Sequence, residues 1–440
     1  MDAKRFFQGG IRLFAILVLS VALGFVLLAA TYLVPAEQMQ PQLEETIKVF
    51  DQSTGRAERM DQILVPGYSS TWLDNTSDSF FLQCAAASSP HMSIWQQAAY
   101  NPYYSTIIHS RAGDELVNYV KNAREELHEK SMGRYWNGYL VFLKPLLTVM
   151  SYEDIRMINM VALGAMLTLL VCLMYRRGMQ RYIPAFATAF LTLTPFVLPL
   201  NMHYSVVVYI MLAGMIAMLL WPEGCCKRLG STALFFLLGI VTVYFDMLTY
   251  PILSFGFPAV MWLLLCEEEG EKRALSTLIR IGLAWVAGYA LMWAAKWLVL
   301  ALFGYAQEAQ FAVNSIARRS NSESISRIGT IWRNLEVIAR KPFKLLAAAG
   351  VLMFSGMVFK QWRQRARLVS VPLVLVISMA GVAMLPLVWY YLLANTNHTH
   401  YFFMHRNLSV TVFAGLCLLT RILRREDGHT LFACENQMLK

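Results

Sequence analysis

Charge is scarce in this sequence. Asp, Glu, Lys and Arg make up 15% of its 440 residues against 57% hydrophobic, and the mean hydropathy is +0.45. That balance excludes an ordinary soluble globular chain. Cysteine is sparse as well. The seven, Cys84, Cys172, Cys225, Cys226, Cys266, Cys417 and Cys434, include one adjacent pair with no second pair and no histidine partner. Neither a disulfide framework nor a zinc spacing is written there. Missing altogether are the Gly-rich dinucleotide and phosphate loops, the His-Glu-x-x-His helix, the Gly-x-Ser-x-Gly elbow and Cys-x-x-Cys. Nucleotide hydrolysis and zinc proteolysis therefore lack support. No internal repeat and no low-complexity tract is found. The net charge of +10 resides in short basic clusters between apolar runs, the pattern of topology signals, so no nucleic-acid partner is expected.

What the chain has in quantity is apolar runs of about 17 to 25 residues, the length of helix that crosses about 30 Å of hydrocarbon. They predict an all-α, polytopic bundle of about ten spans at 11–34, 153–175, 182–198, 203–221, 230–247, 251–266, 275–303, 342–359, 368–393 and 407–423. The stretch from Leu13 to Val34 is too long for a cleaved signal h-region and reads as a retained anchor, giving a first segment 1–34. The remaining segments are a loop at 35–152, a bundle at 153–303, a basic loop at 304–341, helices at 342–423 and a tail at 424–440. Short clusters such as Arg176-Arg177-Arg181 and Arg421-Arg424-Arg425 then share one face with the basic N-terminus. The positive-inside rule makes that face cytoplasmic and both long loops extracytoplasmic. Within the first loop, Glu37–Gln52 and Gly113–Lys130 read as helical and Pro66–Ser79 as irregular. The aromatic run Arg134–Met150 reads as a helix lying in the membrane interface.

With that topology the polar residues gather at one face. Asp74 and Asp78, four apart in a polar, turn-prone stretch, share a face if its second half is helical and then suit a base and a metal ligand, though solvation or N-capping is the simpler reading. Asp246 and Lys296 are charges at or within spans, where such groups are costly unless paired; a capped turn and a snorkelling amine are the plain alternatives. Arg134, His203, His398, His400, His405 and Arg406 fall at outer span ends, and Arg318 and Arg319 lie in the late basic loop. Imidazole and guanidinium suit a phosphate-bearing substrate, and a polar interfacial loop is the bland reading.

The layout resembles the glycosyltransferase C superfamily: one N-terminal span, a large first external loop with acidic residues, further crossings, and a late basic external segment. The stretches Arg134-Tyr-Trp-Asn-Gly-Tyr-Leu-Val-Phe-Leu-Lys-Pro-Leu-Leu147 and Phe245-Asp-Met-Leu-Thr-Tyr-Pro251 also look like segments of bacterial membrane proteins of this layout. The resemblance implies transfer of a sugar from a polyprenyl-phosphate donor to a cell-envelope acceptor, on the outer side of a bacterial plasma membrane. It places the base on Asp74 or Asp78, with Asp246 in support and the cations on the departing phosphate. The chain lacks the Asp-x-Asp or Asp-Glu pair that commonly follows the first span, so a divalent cation stays an open cofactor. Membrane lipid is the other expected partner. The competing class is a transporter or lipid-linked-glycan flippase, which inverted repeats and helices broken at mid-bilayer would favour.

Overall fold

The computed structural model describes residues 3–50, 61–106, 112–122, 127–265, 274–320, 325–340 and 371–422, with isolated positions between 344 and 359. The chain opens with α1 (Ala3–Thr31), and α2 (Ala36–Thr46) begins after Pro35. In the first loop, β1 (Asp61–Ile63) pairs antiparallel with β2 (Trp72–Asp74), which runs into α3 (Asn75–Ala86). Next come α4 (Ile94–Tyr100), the antiparallel pair β3 (Pro102–Thr106) and β4 (Leu127–Ser131), with α5 (Ala112–Val120) between them, and α6 (Leu140–Leu147). The bundle contains α7 (Tyr152–Arg176), α8 (Ile183–Leu191), α9 (Met202–Leu220), α10 (Pro222–Cys226), α11 (Arg228–Phe245), α12 (Ile252–Leu265) and α13 (Ala274–Leu302). Two amphipathic helices follow, α14 (Ala306–Ser320) and α15 (Arg327–Ile338). The chain then forms α16 (Leu373–Leu392), α17 (Ala394–Thr399), α18 (Tyr401–Met404) and α19 (Leu408–Ile422).

Among the described residues, seven helices are long and apolar enough to cross a membrane, and α12 is a shorter apolar helix. The protein is a membrane-embedded helical bundle. Hydrocarbon cannot satisfy free backbone groups, so each run closes its own hydrogen bonds as helix. The expected crossing at 342–359 lies largely outside the described residues. Lipid-facing rows remain exposed, for example Leu373, Ile377, Met384 and Val388 on α16. Close approach inside the bundle uses glycine: a Cβ on Gly239 of α11 would sit 2.1 Å from the Trp285 carbonyl oxygen, and one on Gly288 of α13 would sit 2.1 Å from that of Phe236. Each helix therefore offers the other a flat patch, and the two backbones meet.

Three local expectations in the first loop are corrected. Residues 127–130 of the expected 113–130 helix belong to strand β4, and a helix starts at Asn75 inside the stretch read as irregular. The Arg134–Met150 run is helix only in part, and it has two faces, Phe142 and Val149 being 60% and 66% exposed. Trp136, Leu140, Leu143 and Leu147 are buried, Trp136 donates to the Met292 carbonyl at 2.7 Å, and only Leu140–Leu147 is helical. Its buried face, with Trp136 and Tyr139, packs between the loop's own core and the bundle.

Candidate functional site

A cavity of about 460 Å³ opens where the first loop meets the loop-side ends of the helices. Its lining comes from six stretches distant in sequence: Thr76, Ser77, Phe80 and Phe81; Met132, Arg134 and Tyr135; His203; Met247 and Leu248; Arg319; and Asn395, Thr396, Thr399, His400, Phe403 and Met404. No carboxylate among the described residues lines it.

Each polar group is held by a different element. The Arg134 carbonyl accepts from the Trp293 and Trp297 indoles of α13 at 2.9 and 3.3 Å, which fixes that backbone against the bundle. Its guanidinium lies 5.3 Å from the centre of the Tyr135 ring, and Arg319 from α14 lies 5.5 Å from the same ring while donating to the Tyr135 hydroxyl. Among the described residues neither guanidinium is in an ion pair, and the buried Arg134 Nε has no hydrogen-bond partner. Two cations therefore share one aromatic ring, with donors left for an anion.

His203, the second residue of α9, is buried, and among the described residues neither ring nitrogen has a hydrogen-bond partner. It stacks on Phe81 at 5.7 Å and packs against Phe403 at 5.1 Å. Asp74 Oδ2 stands 3.9 Å behind its Nδ1. His400 stacks on Phe403 at 5.3 Å, and burial pushes its imidazole below the usual histidine range, with Asp74 acting in the opposite direction.

The three expected carboxylates surround this cavity without lining it. Asp74 caps α3, accepting from the Ser77 amide at 3.1 Å and its hydroxyl at 2.7 Å. Asp78 is fully buried and accepts from the Tyr152 hydroxyl, Asn201 Nδ2 at 3.1 Å, and the Met202 and His203 amides at 2.9 and 3.0 Å. Four donors surround that carboxylate, three at Oδ2 and one at Oδ1, and two of them are the first amides of α9, so Asp78 is tied to the helix end that carries His203. Asp246 accepts from the Thr249 amide and hydroxyl, closing the turn that presents Met247 and Leu248 to the cavity; Leu248 is held at φ +68°. A leucine there is strained, and the Asp246 contacts hold the turn against that strain.

Several expected ligands are engaged elsewhere. Lys296 donates to the carbonyls of Ala98 and Ala99 at 2.8 and 2.9 Å and to Asn101 Oδ1 at 2.7 Å, so all three ammonium hydrogens end α4 and none reaches a phosphate or Asp246. Arg406 is not at a mouth. It is fully buried over the Tyr204 ring at 4.2 Å and donates to the carbonyls of Leu193, Phe402 and Ser70. His405 is buried against the Tyr401 carbonyl, and His398 contacts Thr330 and Arg333, both away from the cavity. The Arg318 side chain lies outside the described residues. Among the described residues, no group of three His, Cys, Asp or Glu is disposed to hold a metal ion. Sequence reading missed Tyr135, Ser77 and Phe403; only the position of Tyr135 beside Arg134 in an aromatic run signalled it.

No protein-family model, curated protein or solved structure matches this chain.

Proposed function

We propose that the protein is a membrane glycosyltransferase that moves a sugar from a polyprenyl-phosphate donor to an extracytoplasmic acceptor, in the plasma membrane of a bacterium. The observation that carries this reading is the cavity's chemistry: two guanidiniums on one tyrosine, in no ion pair among the described residues, with two imidazoles and several hydroxyls beside an aromatic wall. Guanidiniums with spare donors suit a phosphate ester, and aromatic faces with hydroxyls suit a sugar ring. The reading keeps ten crossings with both ends cytoplasmic; the shorter apolar helix α12 falls in the run expected at 251–266, while α8, in the run expected at 182–198, is nine residues long.

In this reading His203 takes the proton of the acceptor hydroxyl as that oxygen bonds to the anomeric carbon. The bond from that carbon to the phosphate oxygen breaks, and its electron pair leaves with the phosphate, whose charge Arg134 and Arg319 receive. Asp74 stabilises the imidazolium, and Asp78 holds the α9 terminus that carries the ring.

The first test is binding of farnesyl phosphate, a water-compatible prenyl phosphate, to the purified protein in detergent. Arg134→Gln combined with Arg319→Gln should weaken it by about 10- to 100-fold, the loss expected for one charged hydrogen bond or more. Failure of the wild type to bind defeats the proposal. Binding, with the lipid carried across vesicles and no sugar transferred from a panel of polyprenyl-phosphate hexoses, would select the flippase reading.

A further inference from the structure

We infer that α15 is a membrane-surface helix whose Ile328 and Trp332 enter the boundary between headgroups and acyl chains of a phosphoglyceride leaflet. The helix has two faces with different fates. Thr330, Asn334 and Val337 are buried, and the inner face is pinned by Asn334 Nδ2 donating to the Asn397 carbonyl at 3.1 Å and Thr330 Oγ1 to that of Ala394 at 3.4 Å. That leaves Ile328 and Trp332, one turn apart, each 63% exposed on the opposite side.

The neighbouring surface identifies what covers them. Arg327, at the start of α15, lies 5.0 Å over the ring of Tyr391 near the end of α16. Tyr391 and Leu392 are exposed and continue the row Ile377, Met384 and Val388 that faces lipid along α16. Ile328 and Trp332 extend the same apolar surface past the end of the span, at the depth where Trp and Tyr collect in bilayers. Arg327 stands at the start of the helix, where a long basic side chain keeps its stem on apolar surface at headgroup depth, while Arg340 past the far end donates to the Gly67 carbonyl of the first loop. Because α15 also packs on α17, which lines the cavity through Asn395, Thr396 and Thr399, the leaflet edge lies one helix away from the site. This placement stands whether or not the protein transfers sugars.

The test is photocrosslinking from p-benzoylphenylalanine placed at position 332 of the full chain, in vesicles of phosphatidylethanolamine and phosphatidylglycerol. A phospholipid adduct at 332, absent when the probe replaces Glu45 on the first loop, is the expected result. A crosslink to a second copy of the chain, or no lipid adduct at 332, overturns the inference. As a measurement free of the unnatural residue, brominated lipids should quench wild-type tryptophan fluorescence more than that of Trp332→Phe; equal quenching also overturns it.

Discussion

Two groups of cations, one buried and one half-buried, lie near the same end of this bundle, and they differ in what their hydrogens do. Lys296 and Arg406 sit in the packed layer around the cavity and spend their donors on backbone carbonyls and one amide oxygen. Arg134 and Arg319 face the cavity, lean on Tyr135 and are in no ion pair among the described residues. A charge buried in a membrane protein is therefore not in itself a sign of chemistry. Once its donors are satisfied it is a structural tie between segments, and only a cation with unspent donors facing open space is equipped for a ligand. The carboxylates repeat the lesson, since Asp78 is surrounded by four donors while Asp74 stands behind an imidazole that has no hydrogen-bond partner among the described residues.

The largest functional effect should come from His203. His203→Gln should lower turnover by roughly 10²- to 10⁴-fold while farnesyl phosphate binding persists, because a glutamine cannot carry the proton away. Asp74→Asn should act in the same direction more weakly, and a wild-type rate and pH profile in both variants would remove the pair from the chemistry. Asp78→Asn sharpens the contrast. It turns one acceptor toward the α9 amides into a donor, so it should cost about 1–3 kcal/mol of stability and leave turnover per folded molecule nearly unchanged.

Next in size is the packed layer. Arg406→Lys keeps the charge but cannot span three carbonyls from three segments, and Lys296→Met leaves the α4 carbonyls without donors. Each should cost about 3 kcal/mol, read as lost monodisperse protein and a lower unfolding temperature in detergent. Arg134→Gln should preserve both and lose affinity instead. If Arg406→Lys folds normally and fails only in turnover, the distinction between spent and unspent cations collapses.

Smallest in functional terms is Lys144, buried 3.8 Å over the Tyr32 ring, where burial pulls the amine down to about 7. In the unfolded chain it titrates near 10.5. A folded value below the unfolded one stabilises the fold at pH above 10.5, and that contribution is lost as pH falls through about 7. Thermal stability should therefore climb between those limits in the wild type, Lys144→Met should flatten the climb, and farnesyl phosphate binding at pH 7 should not move. A Lys144→Met protein with the wild-type slope would assign the dependence to another group.

Several site residues were legible before any fold was known. The imidazoles of His203 and His400 and the guanidiniums of Arg134 and Arg319 are among the polar groups the sequence places on one face, and the cavity gathers all four. The errors have a common cause. Arg406 and His405 stand in the same short polar stretch as His400, yet they turn inward to carbonyls of other segments, and nothing in the stretch itself marks which member points where. Asp78 looked like a base because its partners at Tyr152 and Asn201–His203 are more than 70 residues away.

By itself the sequence determined that the chain is membrane-embedded and helical, because hydropathy is a property of contiguous residues and hydrocarbon leaves a spanning backbone little choice but to bond within its own helix. Which charges are spent was decided only by the tertiary structure. That outcome depends on which carbonyls and amides arrive beside each side chain when distant segments pack, as with Lys296 at Ala98 and Arg319 at Tyr135, and hydrogen bonds act over a reach that spacing along the chain does not encode.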